Sequence, residues 1–263
     1  MLKNICFLAF CIALAACQKV VQLNLRTAPP AYVIEGNITD QPGPYQVRIT
    51  QTTGFYSGNT FSGVAGAQVS IQDGAGHSAA LTDDGGGIYH TTSLQGTQGQ
   101  TYPLRVAIGK DTFSAVSTMP YRVNFDSLFI TPVLNGGKSV LVAEPVFINP
   151  QGPGIAYYFF NQTINGYLDK TLYYWNSTFS QGKPNTFNLE RSSQDSTLHI
   201  GDSVQIEMQC IDEPMYNYWQ GLDQSATGGG EAYPGNPVSN LSGGALGYFS
   251  AHTSQTKGVR VPK

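Results

Sequence analysis

The stretch Tyr102-Pro103-Leu104-Arg105-Val106-Ala107-Ile108-Gly109-Lys110-Asp111-Thr112-Phe113-Ser114-Ala115-Val116 reads as two short strands around a tight turn. Leu104 and Val106 alternate with Arg105 and Ala107, the period-2 pattern of a strand with one buried face. Gly109-Lys110-Asp111 supplies the turn, so the pair is a hairpin. The same punctuation recurs on the N-terminal side. Tyr32 to Ile38 is strand-like, and Tyr45-Gln46-Val47-Arg48-Ile49 alternates after the turn Asp40-Gln41-Pro42-Gly43-Pro44. Ala67 to Ile71 ends at Asp73-Gly74-Ala75-Gly76, and Asp83-Asp84-Gly85-Gly86-Gly87 precedes Ile88-Tyr89-His90. Short strands at this spacing predict a β-sandwich of immunoglobulin or transthyretin type over residues 31–120.

Composition agrees with β structure. Of 263 residues, 12% are charged, against about 25% in an average domain, while 41% are hydrophobic and 30 are Gly. Ample apolar content excludes a disordered tail, and the missing Ala/Glu/Lys/Leu/Arg signature excludes a coiled coil. A net charge of -3 without a basic cluster excludes nucleic acid as a partner. Met119-Pro120 marks a boundary, because Pro interrupts strand pairing. A second β-rich domain is expected over residues 121–263. Its strands include Leu128-Phe129-Ile130, Val140-Leu141-Val142, Leu172-Tyr173-Tyr174-Trp175 and Ser203 to Met208, and Tyr157-Tyr158-Phe159-Phe160 reads as buried on both faces. One helix is expected from Glu213 to Leu222, with Asp212 as its cap and Tyr218, Trp219 and Leu222 on one face. The fold class is therefore all-β with one short helix.

Residues 1–16 read as a lipoprotein signal peptide. Lys3 precedes an apolar run too short to span a bilayer, and Leu14-Ala15-Ala16-Cys17 resembles the lipobox of bacterial lipoproteins. Cys17 is the expected lipidation site, and acyl chains on it would anchor the protein in a lipid bilayer. Residues 17–30, ending in Pro29-Pro30, form a tether. Cys210 then keeps the sole free thiol and is expected to be buried and inert, with no disulfide.

The residues that carry chemistry are sparse. His77, His90, His199 and His252 show no metal-ligand spacing; His77 reads as a turn residue and the other three as strand or edge residues. No nucleophile elbow occurs. Glu207 is expected on the solvent face of its strand, and Asp212 and Glu213 at the helix N-terminus. The Asp-Gly turns at 73–76 and 83–86 read as Asx turns rather than calcium loops. No catalytic residue, metal or cofactor is expected. Aromatics are the feature suited to binding. Tyr56, Phe61 and Tyr233 sit in Gly/Ser/Thr-rich loops, and Trp175 and Trp219 in the second domain; these five are the candidate ligand or partner residues.

Several segments together carry a family resemblance. They are Tyr32 to Thr39, Val64 to Ile71, Gly99 to Leu104, Ser117-Thr118-Met119-Pro120, and above all Gly243-Gly244-Ala245-Leu246-Gly247-Tyr248-Phe249. In this order they resemble the Bacteroidetes lipoprotein family known as domain of unknown function 4249, over most of the chain after Cys17. The first domain separately is similar to carboxypeptidase-regulatory or transthyretin-like sandwiches. The resemblance implies an outer-membrane lipoprotein, often encoded beside TonB-dependent receptors, with an accessory or binding role in nutrient uptake. A TonB-dependent receptor and a small nutrient or glycan are the partners it implies; it assigns no catalytic residue. A hydrolase of glycans or peptides, and a structural or adhesive surface module, are the competing readings.

Overall fold

The computed structural model describes residues 29–54, 61–185, 187–192, 197–227 and 235–263. The signal segment, Cys17, most of the tether, Tyr56 and Tyr233 lie outside the described residues. In chain order the strands are β1 (Tyr32–Thr39), β2 (Tyr45–Gln51), β3 (Ser62–Gly63), β4 (Gln68–Gln72), β5 (Ser78–Ala80), β6 (Thr82–Gly85), β7 (Ile88–Thr91), β8 (Thr101–Ile108), β9 (Asp111–Thr118), β10 (Ser127–Asn135), β11 (Lys138–Val146), β12 (Tyr157–Ile164), β13 (Tyr167–Leu168), β14 (Tyr173–Asn176), β15 (Ser203–Ile211) and β16 (Leu246–Arg260). One helix, α1 (Glu213–Thr227), lies between β15 and β16. Among the described residues the chain is all-β with this single helix, which runs past the expected end at Leu222.

The expected hairpin from Tyr102 to Val116 forms as β8 and β9. Its register sets Leu104 opposite Ala115 and Val106 opposite Phe113, so all four point into one core. The four-stranded sheet β5-β4-β8-β9 packs face to face on the part of a ten-stranded sheet that contains β1, β2 and β7. The sandwich core also takes Leu241, Ala245, Phe249 and Ala251, so it draws on the C-terminal segment as well as on residues 31–120.

The 15 residues of β16 explain how. Leu246 to His252 pair with β1 in parallel, and Thr253 to Arg260 pair with β15 antiparallel. One strand thus belongs to two modules, and the large sheet runs β13-β12-β15-β16-β1-β2-β7-β6 through both. Gly247 permits the close approach to β1. Its φ is +95°, and a Cβ there would lie 2.1 Å from the Ile34 carbonyl oxygen.

Beyond β16, the sheet is covered on both faces. Tyr158, Phe160, Met208 and Cys210 bury one face against Phe125, Leu128, Ala143 and Phe147 of the segment that carries the β10–β11 hairpin. Phe159 and Ile211 bury the other face against Met215 and Tyr218 of α1. This double covering explains why Tyr157 to Phe160 is aromatic without interruption. Asp212 fixes where α1 starts. One carboxylate oxygen accepts from the Met215 N–H at 3.2 Å; the other accepts from Ser117 Oγ at 2.7 Å and Thr118 N–H at 3.0 Å on β9. Burial still pushes the Asp212 carboxyl above its usual range.

Candidate functional site

Strand parity creates a polar strip next to α1. On β1 and β16, Ile34, Gly36, Ile38, Phe249 and Ala251 face the sandwich core, so Asn37, Thr39, Tyr248 and His252 must face the other way. On β12 and β15 the same parity turns Phe159, Asn161, Glu207 and Gln209 to that side. These residues floor an open cleft of about 560 Å³. Trp219 of α1 forms one wall, and the segment Leu168 to Leu172 after β13 forms the other.

The aromatic wall is fixed by stacking. Trp219 lies on Phe159 at 4.4 Å between ring centroids and 17° between planes, and Tyr248 stands 5.1 Å from Trp219. No described group accepts a hydrogen bond from the Trp219 indole N–H. The opposite wall is held by Asp169, which accepts from Arg191 Nε at 2.6 Å and from the Thr171 N–H at 2.8 Å. Burial pushes the Asp169 carboxyl up, but hydrogen bonds from Thr171 and Arg191 together bring it below the usual range.

The floor mixes engaged and unengaged polar groups. Glu207 accepts from Asn161 Nδ2 at 2.8 Å and from Ser254 Oγ at 2.6 Å, one bond to each oxygen. His252 is 4% exposed, and its Nδ1 shares a 2.9 Å hydrogen bond with Ser250 Oγ. Burial lowers its pKa to about 4, against the pull of Glu207 and Asp40, so the ring is neutral at pH 7. Its Nε2 bonds to no described residue. Gln209, 9% exposed, has no side-chain hydrogen bond to any described residue, although it lines the cleft. Asn37 reaches only the Tyr248 hydroxyl, at 3.5 Å.

Of the three aromatic candidates among the described residues, only Trp219 joins this cleft. Trp175 pairs with Tyr158 across β14 and β12, which turns it to the opposite face, where it stacks on Phe187 at 4.9 Å. Phe61, 52% exposed, lies beside β3 and takes no part in the cleft. Tyr56 and Tyr233 fall outside the described residues. Glu207 is not on a solvent face as expected; the covering helix and the loop after β13 turn that side of β15 into a cleft floor. His199 sits beside a turn rather than on a strand. Cys210 is buried at 2% exposure, with Val123 N–H donating to its Sγ, and burial pushes its thiol up. Asp73 and Asp83 accept from backbone N–H groups two residues on, as Asx turns require.

The polar members of the site were missed because a polar residue on an alternating strand reads as solvated. One signal was available: Glu207 and Gln209 share parity on β15, and Tyr248 and His252 share it on β16. Among the described residues no group of three His, Cys, Asp or Glu is placed to hold a metal ion, and no helix is long and apolar enough to cross a membrane. No curated protein matches the chain. A family model does match it over residues 18–258, and the chain belongs to that family, described as Domain of unknown function (DUF4249).

Proposed function

We propose that this protein is a non-enzymatic lipoprotein of the outer membrane, anchored through acylated Cys17, that binds a small nutrient for a TonB-dependent uptake system. The observation that carries the reading is the cleft, where polar groups that bond to no other described residue face the open space beside a stacked tryptophan. Small-molecule sites combine apolar walls with a few fixed polar groups in just this way, at volumes of about 300–1,000 Å³. Binding rather than hydrolysis is supported by the state of the carboxylates. Both Glu207 oxygens are held by neighbouring donors, and Asp169 is tied to Arg191. The lipobox and the tether of residues 17–30 support the anchor, and the transthyretin-like character of the first module suits a spacer that presents the cleft to a receptor.

The test is gentle solubilisation of the C-terminally tagged protein from its native membrane, followed by mass spectrometry. The expected result is an N-terminal peptide beginning at acylated Cys17, together with a stoichiometric TonB-dependent receptor. An unmodified Cys17, or recovery of the protein alone, would contradict the reading.

A further inference from the structure

We infer that the cleft takes a neutral, polyhydroxylated ligand of saccharide type, with Trp219 as its stacking surface and Gln209, His252 and Asn37 as readers of its hydroxyls. This rests on the binding reading above and narrows it to one ligand class.

Charge excludes the alternatives. The cation among the cleft residues is Lys170, which is exposed, so no buried positive group waits for a carboxylate or phosphate. The carboxylate of the floor, Glu207, already accepts one hydrogen bond on each oxygen. It orders Asn161 and Ser254 rather than standing open to an ammonium group. Asp169 is neutralised by Arg191.

Hydrogen bonding points to hydroxyls. Gln209 is 9% exposed, and its amide bonds to no described residue but faces the open cleft, so a ligand that covered it without replacing the water there would cost about 1–3 kcal/mol. The Nε2 of His252 and the carbonyl of the Asn37 amide are open as well. An amide presents a donor and an acceptor side by side. A sugar hydroxyl also donates and accepts, so adjacent hydroxyls satisfy Gln209 and Asn37 in either orientation. A hydrocarbon ligand would leave them unpaired. The C–H face of a sugar ring then needs an apolar plane, and the Trp219–Phe159 stack with Tyr248 beside it supplies one.

The experiment is calorimetric titration of the full-length protein in detergent. The probes are neutral mono- and disaccharides, with sugar acids, amino sugars and dipeptides of similar size. The expected result is one-to-one saturation by a neutral saccharide. Trp219→Ala and Gln209→Leu should each weaken it by about tenfold or more, and Trp175→Phe should leave it unchanged. Unfolding curves for each variant separate loss of binding from loss of fold. Saturation by the charged probes or the dipeptides alone overturns the saccharide class and leaves ligand binding standing. No saturation by any probe at about 10 mM overturns the inference, whereas a co-purified receptor would still uphold the uptake role. Equal affinity in Trp219→Ala would place the ligand outside this cleft and overturn the assignment.

Discussion

Acid should destabilise the fold through His252, and the size of the effect follows from its burial. The pKa falls from the usual 6.5 to about 4 in the folded protein. Between those values the unfolded chain binds more protons than the folded one, so stability is complete above about pH 6.5 and is lost as pH falls toward 4. At about 1.36 kcal/mol per pKa unit, the full loss is about 3 kcal/mol, and about 2 kcal/mol of it should be gone by pH 5. Other groups titrate in acid as well. Asp40, Asp73, Asp83, Asp169 and Asp202 all lie below the usual carboxylate range, and they too cost stability as they protonate. A His252→Gln variant shares those losses but lacks the ring. Urea unfolding of both proteins at about pH 7.5 and pH 5 therefore isolates the histidine. Wild type should lose about 2 kcal/mol more than the variant. Equal losses, within about 0.5 kcal/mol, would refute the idea that His252 is held neutral by burial.

Three further substitutions probe the frame around the cleft. Asp212→Ala removes the cap of α1 and takes the acceptor from the fully buried Ser117 hydroxyl proton, although Ser117 Oγ still accepts from the Ala251 N–H, so unfolding should cost about 2–4 kcal/mol less. Equilibrium denaturation would show it, and Asp212→Asn should recover part of the loss. Gly247→Ala forces a Cβ against the Ile34 carbonyl at positive φ; a loss of about 2–5 kcal/mol is expected, with lowered amide-exchange protection in both β1 and β16. Phe249→Ala empties a wholly buried site in the sandwich core and should cost about 3–5 kcal/mol by the same denaturation assay.

Local features were legible in the sequence because their causes are local. The β8–β9 hairpin, the Asx turns at Asp73 and Asp83, and the Asp212 cap each follow from residues a few positions apart. The path of β16 was not legible. Its partner β1 lies some 200 residues away, and alternation states which residues share a face but not which strand pairs with which. The cleft depends on that pairing, since Tyr248 and His252 meet Glu207 and Gln209 only once β16 sits between β1 and β15. Trp219 was readable as a binding candidate because its helix face is set by sequence spacing alone. Trp175 was not distinguishable from it, because the face a short strand such as β14 presents depends on the register with its neighbour.

The two tryptophans offer the most direct test of the site. Trp219 lines the cleft and Trp175 is packed on the far side of the same sheet. Protein labelled with 5-fluorotryptophan should give two fluorine resonances, assigned by Trp175→Phe. Titration with the saturating neutral saccharide should shift the Trp219 resonance progressively and leave the Trp175 resonance in place. A shift confined to Trp175, or no shift in either resonance at saturation, would contradict the placement of the ligand in this cleft.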